Sequence, residues 1–369
     1  MNILFITDEL SPGGVPAHVI DVANYMHHAG NVVTVAATPG NYRVKLDQNI
    51  RFVPLSLLHV GTFKKNFTGI VPSIYRLLQL CKNSRFDIIH SHTRYSQLVA
   101  AIVASVFSVS LITSYHNTFS KKKKISVFGD YVICCGETVR KVVVDDFGAN
   151  PKKTRTVYNG INAFRNYDDN EIQNIRTTLN IPTDARVISS TAQFRTSKDR
   201  ESLIRAFHRV IQNGEFKNTI LLLQGHGELE EYLRSLVKQL GLQEKIIFID
   251  SMYNVEAIMN ISEFMVLNSL QEGFSIVLLE GGSIGKPYIG SNISEITEFI
   301  EDGVNGLLVP PKNPEALAEA IKYLLKNPDK THEYGQNAIK KYQALFTRQR
   351  MMDELLEVYH MVINKKESI

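Results

Sequence analysis

Short apolar runs alternate with stretches of helical apolar spacing along the 369 residues of the chain. The alternation predicts strands at 2–7, 32–38, 86–92, 110–116, 130–135, 186–193, 219–225, 245–250, 264–269, 287–291 and 306–310. Continuous apolar strands separated by amphipathic helices are typical of parallel sheets that are covered on both faces. The pattern therefore predicts an α/β fold.

The strand pattern is interrupted once, between residues 162 and 185, where the sequence becomes polar. A short helix is predicted there, around 171–179, and a second sheet is predicted to begin near Val187. At about 100–200 residues per domain, the length also favours two domains. A long helical pattern from Arg348 to Ile363 follows the last strand.

Two segments bear on where the protein resides. Residues 98–115 carry no charge over 18 positions, which is about the length of a membrane span. Because their first half is Ala-rich and their second half β-branched, we interpret them as a helix followed by a strand. The first ten residues lack a basic region and reach Asp8 and Glu9 directly, so they predict a strand and not a signal peptide. A cytoplasmic protein is expected.

Composition is ordinary for a globular protein, but charge is unevenly distributed. Residues 1–160 contain 18 Lys and Arg against 9 Asp and Glu, whereas the remainder is acidic. For the basic half we consider an anionic membrane surface, a phosphorylated acceptor and nucleic acid, and rank nucleic acid last because no recognisable module accompanies it. The three cysteines, Cys81, Cys134 and Cys135, lack metal-ligand spacing and predict reduced thiols.

Two features of the first half could carry chemistry. Gly13 and Gly14 lie between the first strand and a helix, where they would let the backbone approach a ligand, although a plain strand-to-helix turn explains them equally well. His90, His92 and His116 end two predicted strands, at the edge where ligands bind in such sheets. A metal site is one interpretation, but the spacing matches no standard zinc motif, and buried or capping histidines are the alternative.

The most informative segment of the second half is SLQEGFSIVLLE, residues 269–280. A strand ends, a loop carries Glu272 and Gly273, and a helix is predicted to begin near Ser275. The free N–H groups of a first helical turn suit a diphosphate. An ionised Glu280 could accept two hydrogen bonds from a vicinal diol such as a ribose, and Glu272 could bind sugar hydroxyls. A helix with two unrelated acids is the alternative.

Over nearly its whole length the chain resembles retaining glycosyltransferases of the GT-B type, family 4. Glu272 and Glu280 match the family motif of two glutamates separated by seven residues. The segments SPGGVPAHVIDVANYM, DIIHSH, SYHNTF, VYNGIN, GGSIGKPYIGSN and ITEFIEDGVNGLLVPP follow in family order. The order of several motifs makes the resemblance more specific than any single one.

The resemblance implies two Rossmann-like parallel-sheet domains that face each other across a cleft. It assigns residues 1–163 to acceptor binding, 164–345 to nucleotide-sugar binding, and 346–369 to a helix that returns to the first domain. Glu280 would hold the ribose, Glu272 and His116 the donor sugar, and Gly13 and Gly14 would approach the diphosphate. The sugar and phosphate would also receive backbone N–H groups from Gly273, Phe274, Ser275, Ile276 and Val277.

The chain departs from the family pattern at the diphosphate. Lys198 matches the family lysine, but Gln193 occupies the position of the family arginine, and Arg195 follows two residues later. A neutral amide cannot replace a cation at a phosphate. Ser294 and Glu295 also stand where the family has two glycines. Either Arg195 reaches the diphosphate, or the leaving group is less well neutralised.

The resemblance implies transfer of a sugar, with retention, from a UDP- or GDP-linked donor to a saccharide or lipid-linked acceptor in polysaccharide or glycoconjugate synthesis. Lys198, Arg195 and the helix N-terminus would stabilise the departing nucleoside diphosphate. No metal or other cofactor is expected, because the acidic pairs 145–146 and 168–169 do not end strands of the second domain. The alternatives are a noncatalytic partner subunit, which Gln193 favours, and a GT-B-fold sugar epimerase.

Two groups of lysines in the first half of the chain predict a basic surface. Lys121 to Lys124 follow His116, and Lys64 and Lys65 precede the apolar helical stretch IVPSIYRLLQL. Either they form a solvated loop beside a core helix, or they bind an anionic membrane that presents a lipid-linked acceptor. The second interpretation predicts a peripheral location at the inner face of the membrane.

Overall fold

The computed structural model describes residues 1–57, 63–117 and 126–367, with side chains described outside 63–68 and 365–367. Contacts divide the chain into two units, one formed by 1–159 with 348–369 and the other by 160–347. The sequence placed these boundaries after residues 163 and 345. Lys121 to Lys124 and the side chains of Lys64 and Lys65 lie outside the described residues.

The first unit contains a seven-stranded parallel sheet in the order β3-β2-β1-β4-β5-β6-β7. Its strands are β1 (Asn2–Glu9), β2 (Val32–Thr38), β3 (Arg51–Pro54), β4 (Ile88–Ser91), β5 (Ser110–Tyr115), β6 (Tyr131–Cys134) and β7 (Thr154–Thr156). Its helices are α1 (Gly14–His28), α2 (Phe63–Asn83), α3 (Arg94–Phe107), α4 (Glu137–Lys141) and α13 (Arg348–Glu367).

The second unit contains a six-stranded parallel sheet in the order β10-β9-β8-β11-β12-β13. Its strands are β8 (Arg186–Thr191), β9 (Thr219–Gln224), β10 (Ile246–Ile249), β11 (Phe264–Leu267), β12 (Tyr288–Ser291) and β13 (Gly306–Val309). Its helices are α5 (Asp169–Thr178), α6 (Arg200–Ile211), α7 (Glu230–Gln239), α8 (Val255–Ile261), α9 (Ile276–Ser283), α10 (Ser294–Thr297), α11 (Pro314–Lys326) and α12 (Pro328–Leu345).

The predicted fold class, two Rossmann-like α/β domains, is confirmed. Every strand expected from an apolar run is present, and the polar connection carries the expected short helix, α5. The uncharged segment 98–115 forms most of α3 followed by β5, as expected. Among the described residues, no helix combines the length and apolarity needed to cross a membrane.

Each sheet is buried because its strands are apolar on both faces. The side chains of Ile3, Phe5 and Ile88 belong to a core that also includes one face of α13, through Met352, Leu355, Tyr359 and their neighbours. On the opposite face of the same sheet, Leu4 and Ile6 pack with residues of α2 and α3. The C-terminal helix is therefore an integral part of the first unit's core.

Arg348, at the start of α13, forms an ion pair with Asp21 of α1 at 2.8 Å. Cys134 is the last residue of β6 and Cys135 follows it, and Cys81, Cys134 and Cys135 are all buried, unbridged thiols. Burial raises the pKa of the Cys134 thiol to about 12, so this thiol is protonated and unreactive at neutral pH.

Candidate active site

An ion pair links two residues that are 74 positions apart in the second unit. Lys198 Nζ lies 2.6 Å from Glu272 Oε1, and the hydroxyl of Ser269 donates to the same oxygen at 2.6 Å. The backbone N–H of Leu270 also donates to the carbonyl of Ser197 at 2.8 Å. The structure therefore brings together the loops that follow β8 and β11, both at the carboxyl edge of the sheet.

The Glu272 carboxylate keeps one oxygen for a ligand. Its side chain is only 8% exposed, and its Oε1 receives both hydrogen bonds. Among the described residues, no donor reaches Oε2. Because Lys198 has three N–H donors and uses one on Glu272, it can also bind an anion. The pair offers a free acceptor for a hydroxyl group beside a cation.

The helix that follows begins where the sequence predicted. Ser275 is the N-cap of α9, its side chain makes no capping hydrogen bond, and the first turn contains no acidic residue. The N–H groups of a first helical turn have no partner within the helix, and the helix dipole favours an anion there. The chain segment Gly273 to Val277 therefore offers backbone donors of the kind that bind phosphate.

Glu280 lies in α9, half-buried, and no residue in the described part of the chain donates a hydrogen bond to its carboxylate. Burial raises the pKa of Glu280 from 4.5 to about 7. Partial burial without a partner is costly for a carboxylate. A ligand that supplies two hydroxyl groups would remove this cost.

Close packing fixes the position of Glu280. A Cβ added to Gly281 would lie 2.5 Å from Tyr288 Oη, and one added to Gly282 would lie 2.3 Å from Phe299 Cζ. The Tyr288 hydroxyl also donates to the carbonyl of Val277. Glycine is required at both positions because α9 packs directly against these aromatic rings.

The loop after β8 places Gln193 and Arg195 at the surface, and both side chains are exposed. A turn leads from Arg195 to Lys198, and in it the backbone N–H of Lys198 donates to the carbonyl of Arg195 at 2.9 Å. Within the described residues, the Arg195 guanidinium has no partner. A free cation therefore lies two residues beyond the neutral Gln193.

Arg200, which the sequence pattern did not single out, is only 1% exposed. Its guanidinium donates to Ser190 Oγ and, at 3.2 Å, to the carbonyl of Ala192, whereas no described residue accepts a hydrogen bond from its Nε. Burial lowers the pKa of Arg200 to about 10, opposed by the Glu272 carboxylate. A cation in the first turn of a helix opposes the dipole, and this unusual placement in α6 was the available signal.

In the first unit, the structure brings together two of the predicted histidines. His92 Nδ1 lies 3.2 Å from His116 Nε2, where β4 and β5 end. His92 is buried and stacks on Phe5 with ring centroids 5.9 Å apart. Burial lowers the pKa of His92 and of His116 well below 6.5, so both rings are neutral at pH 7.

His90 has a structural role instead. Its Nδ1 lies 2.6 Å from the Tyr359 hydroxyl of α13, and its Nε2 lies 2.7 Å from Ser114 Oγ. Both ring nitrogens are therefore occupied within a fully buried network. Of the alternatives considered for His90, this geometry favours the buried core histidine.

His18 is a further histidine at this place that the sequence pattern did not single out. It lies on α1, three residues after Val15 on the apolar face, and its ring centroid is 4.9 Å from that of His116. Ring nitrogens of His18, His92 and His116 all lie within 4.8 Å of one another. Burial lowers the pKa of His18 to about 4. A polar residue on the helical apolar face was the signal that could have found it.

Gly13 and Gly14 lie at the start of α1, shortly before His18 in the sequence. Among the described residues, a Cβ on Gly13 would meet no atom closer than 3.6 Å, and one on Gly14 would meet none within 4 Å. Gly13 has a φ of 168°, which any residue can adopt. The fold itself therefore does not require glycine here, and the open space above this helix start can admit a ligand.

Two family models match different parts of the chain. The model described as Glycosyltransferase Family 4 matches residues 12–165, and the model described as Glycosyl transferases group 1 matches residues 171–341. An uncharacterized glycosyltransferase of Methanocaldococcus jannaschii is 25% identical in an alignment that covers 97% of this chain and 98% of the relative.

Solved structures show the same fold over the whole chain. A glycosyltransferase from Rickettsia africae superposes with a TM-score of 0.87 at 19% identity, covering 98% of each chain. Anabaena HepE in complex with UDP and glucose superposes with a TM-score of 0.83 at 21% identity, covering 97% of this chain and 98% of HepE. At these identities the likeness concerns the fold alone.

Proposed function

Because the chain is a GT-B glycosyltransferase of the family 4 type, we propose that it transfers a sugar from a nucleoside-diphosphate donor to a saccharide or lipid-linked acceptor. The Anabaena neighbour is described as binding UDP and glucose, which makes a UDP-sugar the first donor to test, with a GDP-sugar as the alternative. Cell-surface polysaccharide or glycoconjugate synthesis is the proposed setting.

The observation that carries the proposal is the pair Lys198–Glu272 beside the start of α9. A nucleotide sugar needs an acceptor for its sugar hydroxyls and positive charge for its diphosphate. Glu272 Oε2 supplies the first, and Lys198 with the N–H groups of the helix start supplies the second. Glu280, whose carboxylate lacks a partner among the described residues, is assigned to the ribose.

The proposed reaction proceeds with retention and without a metal. As the bond from the sugar to the diphosphate breaks, negative charge develops on the departing phosphate oxygen. Lys198, Arg195 and the backbone donors at Ser275 to Val277 stabilise that charge. The same oxygen takes the proton of the acceptor hydroxyl, while the acceptor oxygen forms its bond to the anomeric carbon on the face that the diphosphate leaves. His116 is assigned a contact to the donor sugar.

The basic first unit is assigned to the acceptor, and an anionic membrane surface is the proposed place where a lipid-linked acceptor is met. On the described part of α2, Val71 and Tyr75 are 62% and 65% exposed, whereas Leu77 and Leu80 are buried. An exposed apolar face next to basic residues is the composition expected of a helix that lies on a membrane surface.

The test uses the purified chain with UDP- and GDP-sugars, and follows release of free nucleoside diphosphate. We expect hydrolysis of one donor in the absence of acceptor, and a large loss of turnover in Glu272→Gln. Glu228→Gln, which changes an exposed glutamate of the same unit, is the matched control. Proton NMR of the anomeric centre in the product then tests retention.

Two rivals make different predictions in this assay. A noncatalytic partner subunit, which the neutral Gln193 favours, releases no nucleotide from any donor. A GT-B-fold epimerase releases nucleotide with no need of an acceptor and never forms a glycosidic product. Glycosidic product with an added acceptor is therefore the result that separates the proposed function from both.

A further inference from the structure

Three imidazoles converge where β4, β5 and α1 meet in the first unit. Ring nitrogens of His18, His92 and His116 lie within 4.8 Å of one another, and the closest pair, His92 Nδ1 and His116 Nε2, is 3.2 Å apart. In a tetrahedral zinc site, metal–nitrogen bonds of about 2.0–2.1 Å place two ligand nitrogens about 3.4 Å apart. The closest pair already has the spacing of two ligands on one metal.

We propose that His18, His92 and His116 form a binding site for a borderline divalent cation, with Zn²⁺ as the best match. Three neutral imidazoles without a carboxylate select Zn²⁺, Cu²⁺, Ni²⁺ or Co²⁺ over Mg²⁺, Ca²⁺ and Mn²⁺, which prefer oxygen ligands. Three histidine ligands also leave the fourth position of a tetrahedral zinc ion open to water or another ligand.

The surroundings distinguish these three histidines from the others nearby. His90 is close to His92, with ring centroids 4.0 Å apart, but both of its nitrogens are occupied by Tyr359 and Ser114. The His92 ring is held in place by burial and by stacking on Phe5.

The three histidines belong to the first unit, whereas the groups assigned to the diphosphate, Lys198, Arg195 and the start of α9, belong to the second. Metal bound by the three histidines would occupy His116, and a ring nitrogen that binds a metal cannot also bind a sugar hydroxyl. We expect Zn²⁺ to inhibit transfer, a consequence that rests on the proposed function, whereas the site itself does not.

The binding experiment titrates the metal-free full-length protein with Zn²⁺ in competition with a chromogenic chelator. We expect one tight equivalent, and a loss of at least tenfold in affinity for His18→Gln and for His116→Gln. His27 and His28 form a histidine pair at the end of α1, in which His27 is half-buried and His28 is exposed, so the double variant His27→Gln/His28→Gln is the matched control. Unchanged binding in both cluster variants, or loss of the tight equivalent in the control, would overturn the site.

Two further measurements keep the result interpretable. Thermal melts of each variant without metal show whether it is folded, and Zn²⁺ should raise the melting temperature of the wild type but not of His18→Gln. Co²⁺ in place of Zn²⁺ should give the visible absorption of a four-coordinate ion in the wild type, and its absence counts against the site. If Zn²⁺ binds at one equivalent but donor hydrolysis is unchanged, the inhibition is wrong and the site stands.

Discussion

We expect the ionised carboxylate of Glu280 to destabilise the folded protein and to strengthen nucleotide binding. Its pKa is raised to about 7 by burial, from 4.5. A group that binds its proton more tightly in the folded state stabilises the fold only while it is protonated. The free energy of unfolding should therefore fall as pH rises between about 4.5 and 7, and remain lower above pH 7.

The size of the effect follows from the shift. A difference of about 2.5 pKa units corresponds to about 3 kcal/mol of lost stability above pH 7. Glu280→Gln removes the charge and keeps the shape, so it should raise the melting temperature much more at pH 8 than at pH 5. For a unit of this length, about 2–4 °C are expected per kcal/mol. Glu228→Gln, at an exposed site, should change neither melt.

Nucleotide binding should move in the opposite direction. If ionised Glu280 accepts two hydrogen bonds from the ribose, Glu280→Gln should weaken UDP binding by about 1.5–3 kcal/mol, or roughly 10- to 150-fold. In the wild type, affinity should rise between pH 6 and pH 8 as the carboxyl ionises. The variant provides the correction for ionisation of the phosphate itself.

Calorimetric titration with UDP and with a 2′-deoxy analogue tests the assignment directly. The penalty of the variant should be large for UDP and small for the analogue, which lacks one of the two hydroxyls. Equal binding of UDP, GDP and ADP by the wild type and by Glu280→Gln would refute the ribose assignment. Identical melts at pH 8 would refute the reasoning on burial.

The remaining predictions concern the metal, the diphosphate and the membrane. Treatment with a chelator should leave transfer within about twofold, because cationic side chains and N–H groups take the place of a metal, and a loss restored by Mn²⁺ or Mg²⁺ would contradict this. Arg195→Ala should raise the activation barrier by about 1.5–3 kcal/mol and so reduce turnover, whereas Gln193→Ala should change the barrier little. Equal small effects of the two substitutions would favour a noncatalytic protein. Cosedimentation should show binding to anionic but not neutral vesicles, lost at high salt and in a variant with Lys121 to Lys124 changed to Gln.

The fold was predictable because most of its strands are uninterrupted apolar runs. Two edge strands were missed because they lack such a run. β3 contributes only one buried residue, Val53, and β7, with the sequence TRT, contains no apolar residue at all. Short edge strands receive their conformation from the neighbouring strand, so the local sequence carries little signal.

The candidate site was predictable in parts. The glutamates at 272 and 280 and the lysine at 198 were found through a motif, but their pairing was not, since a contact across 74 residues depends on the sheet order. Arg200 and His18 were missed because the signal of each, a cation in a first helical turn and a polar residue on an apolar helix face, does not by itself identify the groups that the side chain meets. Only the folded structure brings His18 to His92 and His116.

The placement of α13 determines which unit can complete its core first as the chain is synthesised. The second unit is one uninterrupted segment, 160–347, whereas the first needs residues from both ends of the chain. As the polypeptide leaves the ribosome, residues 1–159 emerge early but lack Met352, Leu355 and Tyr359, which complete their core. The contact between His90 Nδ1 and the Tyr359 hydroxyl also cannot form before Tyr359 has been made. We therefore expect the part of the protein that is made first to complete its core last, after the residues of α13 have been synthesised.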